Sequence, residues 1–503
     1  MTADVRVAVV GAGFSGIGIA AALRQAGIED VVVLEQADRV GGTWRDNTYP
    51  GAACDVPSHL YSYSFAPNPG WTRSFSPQAE IQAYLEQCAR RFGVLPHVRL
   101  RHRVEAARWD EGVSRWLLAT SGGEYRAQFL VSARGPLSEP RLPAIEGIEE
   151  FRGTVFHSAR WDHGHDLTGE RVAVVGTGAS AIQFVPAIQP RVGSLTVFQR
   201  SAPWILPRRD RRITAAEHLV FRALPAAQLA VRSAVYWGRE TYALGFVGPA
   251  RRRRRFMAPA ERVALRHLAA QVPDPGLREQ LTPHYEMGCK RILLSNDYYP
   301  ALTRPNVRLV TDPIARIGPR SIRTADGEEH PVDTLIFGTG FDVTGQTAAA
   351  GTVGVGGRSL AEAWHAGLTA YRGTTVAGFP NLFLMVGPNT GLGHTSIVFV
   401  IESQIAYVLD AIATLDRMGA AAFDVRPDAQ QRWAATMAER STETVWTSGG
   451  CDSYYLDGAG RNVAVWPGAS WGLRRALRRF DPSDHRLIGH RTALSPAAEA
   501  ASV

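Results

Sequence analysis

Two glycine-rich turns hold the first residues whose types and spacing could do chemistry. The first, Gly11-Ala-Gly13-Phe-Ser15-Gly16, follows a β-branched run at residues 5–10 and precedes an Ala- and Ile-rich stretch. Glycines at these positions allow a tight turn, a close approach of the backbone to a pyrophosphate, and packing of the next helix on the strand. Glu35 ends the next apolar run, 24 residues after Gly11, where a carboxylate can accept hydrogen bonds from ribose hydroxyls. The pattern predicts a dinucleotide whose phosphates face a helix N-terminus.

A second turn of the same kind, Gly176-Thr177-Gly178-Ala-Ser180-Ala, follows the strand-like residues 171–175. Arg200 stands 24 residues after Gly176, at the position that Glu35 has in the first unit, and Ser201 follows it. A guanidinium pairs with a 2′-phosphate, which a carboxylate would repel. We therefore predict NADP(H) at the second site and FAD at the first, where the acidic residue suits the adenosine ribose.

These two units must be positioned by an α/β fold of several domains, since 503 residues correspond to two to four domains. We predict two Rossmann-like dinucleotide-binding domains, the second inserted in the first, plus a helical insert rich in Ala, Leu and Arg. The segment YYPALTRPNVRLV after this insert is interpreted as strand and turn. The predicted boundaries are 1–150 and 341–487 for the FAD-binding domain, 151–204 and 286–340 for the NADPH-binding domain, 205–285 for the helical insert, and 488–503 for a disordered tail.

Composition limits the other functional classes. The net charge of +8 could indicate nucleic acid, but no aromatic-basic motif supports that interpretation, and anionic cofactors explain an Arg-rich chain. The run Arg251–Arg255 is interpreted as a solvated helix face or loop, with contact to a membrane surface or an acidic partner as the alternative. The four cysteines form no CxxC pair, so we expect no metal site and reduced thiols. No signal-like or membrane-spanning run is found, and we expect a cytoplasmic protein.

Three further segments resemble the type I Baeyer–Villiger monooxygenases, within the class B flavoprotein monooxygenases. Residues 151–162 match the family pattern FxGxxxHxxxW(P/D), and residues 41–55 match (A/G)GxWxxxx(F/Y)PGxxxD. Cys289-Lys290-Arg291 resembles the segment that holds the active-site arginine of the family. The resemblance implies that NADPH reduces FAD and that O₂ then adds to the flavin. The resulting C4a-peroxide would insert oxygen into a ketone or aldehyde to give an ester or lactone.

The resemblance also implies roles for individual residues. Arg291 is expected to stabilise negative charge as the catalytic cation, and Asp55 to hold it in place beside the flavin. His157 is interpreted as a structural or domain-coupling residue. The residues expected at FAD are Gly11, Gly13, Ser15, Gly16, Glu35, Thr43, Trp44, Asp55, Tyr61, Val104 and Asp342. The residues expected at NADP are Gly176, Thr177, Gly178, Ser180, Gln183, Arg200, Ser201 and Lys290.

Other functions remain open on the sequence alone. The same scaffold could oxygenate nitrogen or sulfur, or hydroxylate, and a flavin reductase or NADPH oxidase would release H₂O₂ without an oxygenated product. A non-catalytic redox sensor that binds both cofactors is a third possibility. The expected partners are a small organic substrate and O₂, and the sequence does not indicate the oligomeric state.

Overall fold

The computed structural model describes residues 2–343, 349 and 351–490. Within these residues the fold is α/β, with two separate sheets that each support a glycine-rich turn, as the sequence predicts. The helices are Phe14–Gln25, Thr43–Asp46, Gln78–Arg91, Ala181–Ile188, Ala215–Ala223, Pro225–Glu240, Ala243–Phe246, Ala250–Gln271, Pro275–Gln280, Tyr298–Leu302, Leu360–Ala363, Ile397–Met418, Pro427–Ser441, Val445–Ser448 and Ser470–Ala476.

The first sheet is built around the β-branched run at the start of the chain. The strand Ala3–Val10 is buried from Val7 onward, and it pairs in parallel with Val31–Leu34 on one side and Gly123–Ser132 on the other. In order across the sheet, the strands are Thr352–Val353, Val104–Asp110, Arg115–Thr120, Gly123–Ser132, Ala3–Val10, Val31–Leu34 and Val98–Arg99, with Leu382–Leu384 also paired to Gly123–Ser132. Strands from both ends of the chain therefore complete one sheet.

The second sheet is entirely parallel and lies within the interval 154–337. Its strands, in order, are Val307–Val310, Ser194–Phe198, Arg171–Val175, Thr334–Phe337 and Thr154–His157. Three smaller sheets consist of Ile205–Leu206 with Leu293–Leu294, of Ile314–Ile317 with Ser321–Thr324 and Glu329–Pro331, and of Ala420–Val425 with His485–His490. Because the chain leaves the first sheet and later returns to it, the second domain is inserted in the first.

One long apolar helix joins the C-terminal part to the first domain. Ile397–Met418 is the one helix of the described residues that is long and apolar enough to cross a bilayer, but 67% of its apolar window is buried. It packs against Phe14–Gln25, and its residues Val400, Tyr407 and Val408 are fully buried. This helix is therefore part of the hydrophobic core.

Two local predictions were wrong. Tyr298–Leu302, predicted as strand and turn, is a short helix whose first amide N–H donates to Ser295 Oγ at 3.1 Å. The tail was predicted to be disordered from residue 488, but the strand His485–His490 pairs with Ala420–Val425, which satisfies its backbone hydrogen bonds. Residues 491–503 of that tail lie outside the described residues.

The cysteine prediction was wrong for two of the four residues. Cys289 and Cys451 form a disulfide, whereas Cys54 and Cys88 are free and buried. Burial raises the pKa of the Cys54 thiol to about 12. The pairing joins residues 162 positions apart, and no spacing rule in the sequence could have indicated it. The bond connects the segment containing Lys290 and Arg291 to the C-terminal third of the chain.

We expect the disulfide to be measurable as a stabilising cross-link. Cys451→Ala should lower the free energy of unfolding by about 2–4 kcal/mol, because the cross-link restricts the unfolded chain. Denaturant unfolding without reductant would measure this, with Cys88→Ala as the control for loss of a buried thiol. If all four cysteines are alkylated in the unreduced, denatured wild type, the disulfide does not form in solution.

Candidate functional site

The first glycine-rich turn is shaped by close backbone contacts. Gly11 has a φ of +102°, and a Cβ there would lie 2.7 Å from the carbonyl oxygen of Ala133. A Cβ on Gly16 would overlap the Gly11 carbonyl oxygen, whereas the nearest atom to a Cβ on Gly13 would be the Gly42 Cα, at 3.5 Å. The helix Phe14–Gln25 begins without a side-chain cap. Its first amide groups, which include that of buried Ser15, are thus available to a phosphate.

Glu35 lies buried at the end of its strand, beside this turn. Its Oε2 accepts a hydrogen bond from the Ala12 amide at 2.8 Å, and its Oε1 accepts one from the Ala37 amide at 3.0 Å. Arg45 Nη1 also lies 2.8 Å from Oε1 and forms a buried ion pair. The sequence reasoning missed Arg45, which follows the Gly-Gly-Thr-Trp segment without a spacing rule of its own. These contacts fix the position of the carboxylate.

Aromatic residues from two loops meet next to the same turn. Trp44 Nε1 donates to the Tyr61 hydroxyl at 3.1 Å, and the Tyr61 ring packs edge-on against Phe14 with centroids 5.1 Å apart. Thr43 starts the short helix that holds Trp44, directly after Gly42, which faces Gly13. The structure therefore brings Thr43, Trp44 and Tyr61 together beside the first turn, and their role at the flavin stays a prediction.

Val104 and Asp342 make their observed contacts elsewhere. Val104 pairs with Thr120 in the first sheet, and the Asp342 amide donates to the Glu139 carbonyl at 2.9 Å. Neither contact is with the glycine-rich turn or the aromatic cluster. Their role at FAD stays a prediction.

The second glycine-rich turn repeats the geometry of the first. Gly176 has a φ of +108°, and a Cβ there would lie 2.5 Å from the Gly338 carbonyl oxygen. Around Gly178 the nearest atom to an added Cβ is 3.9 Å away, so a ligand has room. The helix Ala181–Ile188 begins after Ser180 without a side-chain cap. Thr177 lies on the turn itself, and its Oγ1 donates to the Ser201 carbonyl at 3.5 Å.

Gln183 on this helix reaches across to the first domain. Its Nε2 donates to the Ala53 carbonyl at 3.0 Å, and its Oε1 accepts from the Ala53 amide at 3.1 Å. Tyr49 also donates to Oε1, at 3.3 Å. Gln183 therefore links the second nucleotide site to the loop that leads to Asp55.

Two cations lie close together beside the second turn. Lys290 Nζ donates to Ser201 Oγ at 2.7 Å, and burial, followed by the charge of Arg200, lowers the pKa of Lys290. Arg200 itself is 80% exposed and pairs with Asp452 at 3.2 Å. Like charges that face one another are stabilised by an anion between them. The arrangement fits a 2′-phosphate, provided that Arg200 exchanges its exposed partner Asp452 for the phosphate.

A charged group between the two nucleotide turns forms the centre of the site. Arg291 donates from Nε to Asp55 Oδ2 and from Nη2 to Asp55 Oδ1, both at 2.6 Å. The Asp55 carboxylate raises the pKa of Arg291 well above its ordinary value. Burial favours the neutral acid at Asp55, but Arg291 reverses this and holds the pKa below its ordinary range. Both groups are therefore charged.

The sequence reasoning missed a second arginine at this centre. Arg239, the penultimate residue of the helix Pro225–Glu240, donates from Nη2 to the Asp55 carbonyl at 3.0 Å and from Nη1 to the His394 carbonyl at 3.1 Å. It also favours the charged form of Asp55. Nothing in the sequence separates Arg239 from the other arginines of the insert, so only the fold could identify it.

The residues of both turns thus fit dinucleotides. Each turn has a helix N-terminus without a side-chain cap and a glycine with room for a ligand, and the two turns differ in charge as FAD and NADP require. His157, in contrast, is buried at the end of a sheet strand and accepts from the Ala159 amide at 3.1 Å. Its ring also packs against Phe341 with centroids 5.8 Å apart. This position is consistent with the predicted coupling role.

The chain is similar to known sequences over most of its length. Residues 8–214 match the family model described as pyridine nucleotide-disulphide oxidoreductase. A Baeyer–Villiger monooxygenase of Streptomyces coelicolor is 50% identical over 96% of this chain and 93% of its own length. A Baeyer–Villiger monooxygenase of Pseudomonas aeruginosa is 46% identical over 96% of this chain and 91% of its own.

Solved structures give the same result. An oxidised steroid monooxygenase bound to NADP has a TM-score of 0.82 and 33% identity over 96% of this chain and 99% of its own. OTEMO in complex with FAD and NADP has a TM-score of 0.86 and 27% identity over 96% and 99%. A closed cyclohexanone monooxygenase has a TM-score of 0.84 and 27% identity over 97% and 99%.

We expect Glu35→Gln to weaken FAD binding. The variant keeps the shape of the side chain but removes the charge that Arg45 and a ribose hydroxyl both use. Loss of a charge-assisted hydrogen bond costs about 1.5–3 kcal/mol, which is roughly 10- to 150-fold in the dissociation constant. Titration of FAD into the deflavinated protein measures this. The exposed Glu29→Gln is the control, and unchanged FAD affinity in Glu35→Gln would refute the assignment.

Arg200→Ala should raise the KM for NADPH by roughly 10- to 150-fold and leave that for NADH almost unchanged, because only NADPH has the 2′-phosphate. Steady-state oxidation of both cofactors tests this. Arg191→Ala is a matched control, since Arg191 is an exposed arginine of the same domain that also pairs with an aspartate. An equal loss with both cofactors would show that Arg200 does not contact the phosphate.

Proposed function

Because this chain belongs to the Baeyer–Villiger monooxygenase family, we propose that it inserts an oxygen atom from O₂ next to the carbonyl carbon of a ketone or aldehyde. NADPH is the proposed reductant, and an ester or lactone is the product. The observation that supports this most directly is the two-point ion pair of Arg291 with Asp55 between the two nucleotide turns.

FAD, once reduced by NADPH, supplies the activated oxygen, so the work of the chain is to bind, orient and stabilise. Arg291 is the proposed catalytic cation. Its pairing with Asp55 uses Nε and Nη2, so the Nη1 amino group lies outside the fork. The Arg291 side chain is 28% exposed, and its ion pair with Asp55 holds the guanidinium in one position. A fixed, partly buried cation stabilises a developing negative charge more than a freely solvated one would, because it does not have to reorganise.

Asp55 and Arg239 are the proposed positioning residues. The carboxylate of Asp55 fixes the plane of the Arg291 guanidinium, and Arg239 fixes the backbone of Asp55 through its carbonyl oxygen. The group contains two cations and one anion, so it keeps a net charge of +1. That residual charge favours an anionic oxygen species and a negatively charged adduct with the carbonyl carbon.

The second domain is proposed to deliver NADPH to the same centre. Gln183 binds the backbone of Ala53, two residues from Asp55, and Lys290 precedes Arg291 directly. Binding of NADPH at the second turn therefore acts on both partners of the ion pair through adjacent residues. The proposed substrate is a small organic molecule. The proposed compartment is the cytoplasm, where reduced NADPH is available.

Arg291→Ala should separate oxygenation from NADPH oxidation. Both nucleotide turns remain intact, so FAD and NADPH should still bind. Product should fall by a factor on the order of 10²–10³ because the negative charge loses its fixed partner. Consumed NADPH should then appear as H₂O₂. Arg291→Lys should restore the yield only in part, since an ammonium cannot form the planar fork with Asp55.

The measurement is the yield of product and of H₂O₂ per NADPH, with a cyclic ketone and a thioether as alternative substrates. Arg304→Ala, an exposed arginine of the second domain, is the control. Sulfoxide without any ester or lactone in the wild type would establish heteroatom oxygenation instead. Near wild-type product yield in Arg291→Ala would refute the role of Arg291.

A further inference from the structure

The helical insert exposes an unusual amount of apolar surface. Of twenty large apolar side chains that are exposed among the described residues, ten lie in the stretch 215–271. They are Leu219, Val220, Leu224, Leu229, Val231, Trp237, Leu244, Phe256, Val263 and Leu265. Concentrated apolar exposure on a folded protein marks a binding surface.

The helix Pro225–Glu240 exposes its apolar side and buries polar side chains, which is the reverse of an ordinary surface helix. Its exposed positions between 223 and 238 contain no charged residue and include Leu229 and Trp237, which are 43% and 59% exposed. Its long polar side chains are turned inward, with Gln228 and Glu240 buried and Arg232 and Arg239 partly buried, while Ser233 alone of its polar residues is exposed. An amphipathic helix normally buries its apolar face, so this helix presents its apolar face to something outside the chain.

The inward contacts show that this orientation is fixed. Gln228 Nε2 donates to the Asn68 carbonyl at 2.6 Å. Arg232 Nη1 donates to the carbonyls of His59, Leu60 and Ser62 at 3.0, 3.2 and 2.9 Å. These hydrogen bonds hold the polar side of the helix on the first domain, and a rotation that buried Leu229 and Trp237 would break them all.

Positive charge lies next to the apolar face. The stretch 215–271 contains ten arginines and three glutamates and no other charged residue, which gives +7 out of the +8 of the whole chain. Within the run Arg251–Arg255, Arg253 is buried and donates to Ser448 Oγ at 2.7 Å, and Arg254 pairs with Glu286. Arg251, Arg252 and Arg255 are exposed. Arg253 and Arg254 therefore bind other parts of the protein, while the other three arginines of the run face solvent.

An open groove of about 820 Å³ joins the two features. One side is lined by Gly238, Thr241 and Tyr242 at the end of the apolar helix, and the other by Arg252, Arg255 and Phe256. Arg252 and Arg255 therefore lie across the groove from Gly238, the residue that follows Trp237. Apolar surface bordered by arginines is the pattern of a protein that rests on a bilayer containing anionic lipids.

We propose that the face formed by Leu229, Trp237, Arg251, Arg252 and Arg255 docks on an anionic phospholipid surface. The apolar side chains enter the boundary between headgroups and acyl chains, and the arginines bind lipid phosphates. A second copy of the chain fits less well, because a two-fold interface on this face would bring the arginines of both copies into one interface, and the face itself supplies no carboxylate to pair with them. The proposal assigns surface binding alone and does not depend on the reaction catalysed.

The test is flotation of the FAD-loaded protein with vesicles of phosphatidylcholine alone or mixed with phosphatidylglycerol. The wild type should bind the anionic vesicles, and salt should release most of the protein but leave a fraction bound through the apolar side chains. Arg251→Gln/Arg252→Gln/Arg255→Gln should weaken binding on the order of 100-fold, at roughly five-fold per arginine. Leu229→Gln/Trp237→Gln should abolish the binding that persists at high salt.

Matched controls are Arg160→Gln/Arg191→Gln/Arg304→Gln for the charges and Val113→Gln/Leu142→Gln for the exposed apolar side chains, all outside the insert. Retained flavin absorbance shows that each variant folds. The proposal is overturned if the wild type ignores anionic vesicles. It is also overturned if sedimentation shows a dimer that Leu229→Gln/Trp237→Gln converts to a monomer, because the face would then belong to a second copy.

Discussion

The ion pair between Asp55 and Arg291 is the interaction on which the organisation of this molecule depends. Its partners are 236 residues apart, one in the first nucleotide domain and one on the segment that follows the helical insert. Removing two charges from water is costly, and the cost is recovered only with good geometry and further hydrogen bonds. The two-point contact and the hydrogen bond from Arg239 provide both. Three parts of the chain are therefore held at a single residue, Asp55, through its carboxylate and its backbone carbonyl.

The two nucleotide turns use their glycines in the same way. Each uses one glycine for a backbone shape that a side chain would prevent, at Gly11 and Gly176, and leaves a second glycine open towards the ligand. The chemical difference lies at the following strand end, where one turn meets buried Glu35 and the other meets exposed Arg200. Glu35 is held in place by its buried ion pair with Arg45. Arg200 is exposed, so it can exchange Asp452 for a phosphate.

Local patterns made much of this predictable from sequence. The glycine turns, the strands around them and the acidic or basic residue 24 positions later depend on short-range rules, and the fold class is confirmed. The pairing of Arg291 with Asp55 was implied by family resemblance and not by spacing. Arg239, Arg45 and the disulfide of Cys289 with Cys451 were missed because each depends on contacts between distant segments. The strand His485–His490 was missed for the same reason, since its partner is 60 residues earlier in a region without a repeat.

The interleaved order of the strands has a consequence for synthesis on the ribosome. The helix Phe14–Gln25 is covered by Ile397–Met418, and the strand Gly123–Ser132 is flanked by Leu382–Leu384. At about 5–20 residues per second, the first domain must therefore wait roughly 20–80 s for its own C-terminal pieces. All five strands of the second sheet are available by residue 337. The domain that begins second in the chain is the first that can close, and the nascent N-terminal third has to remain unaggregated with its apolar helix uncovered until translation is nearly complete.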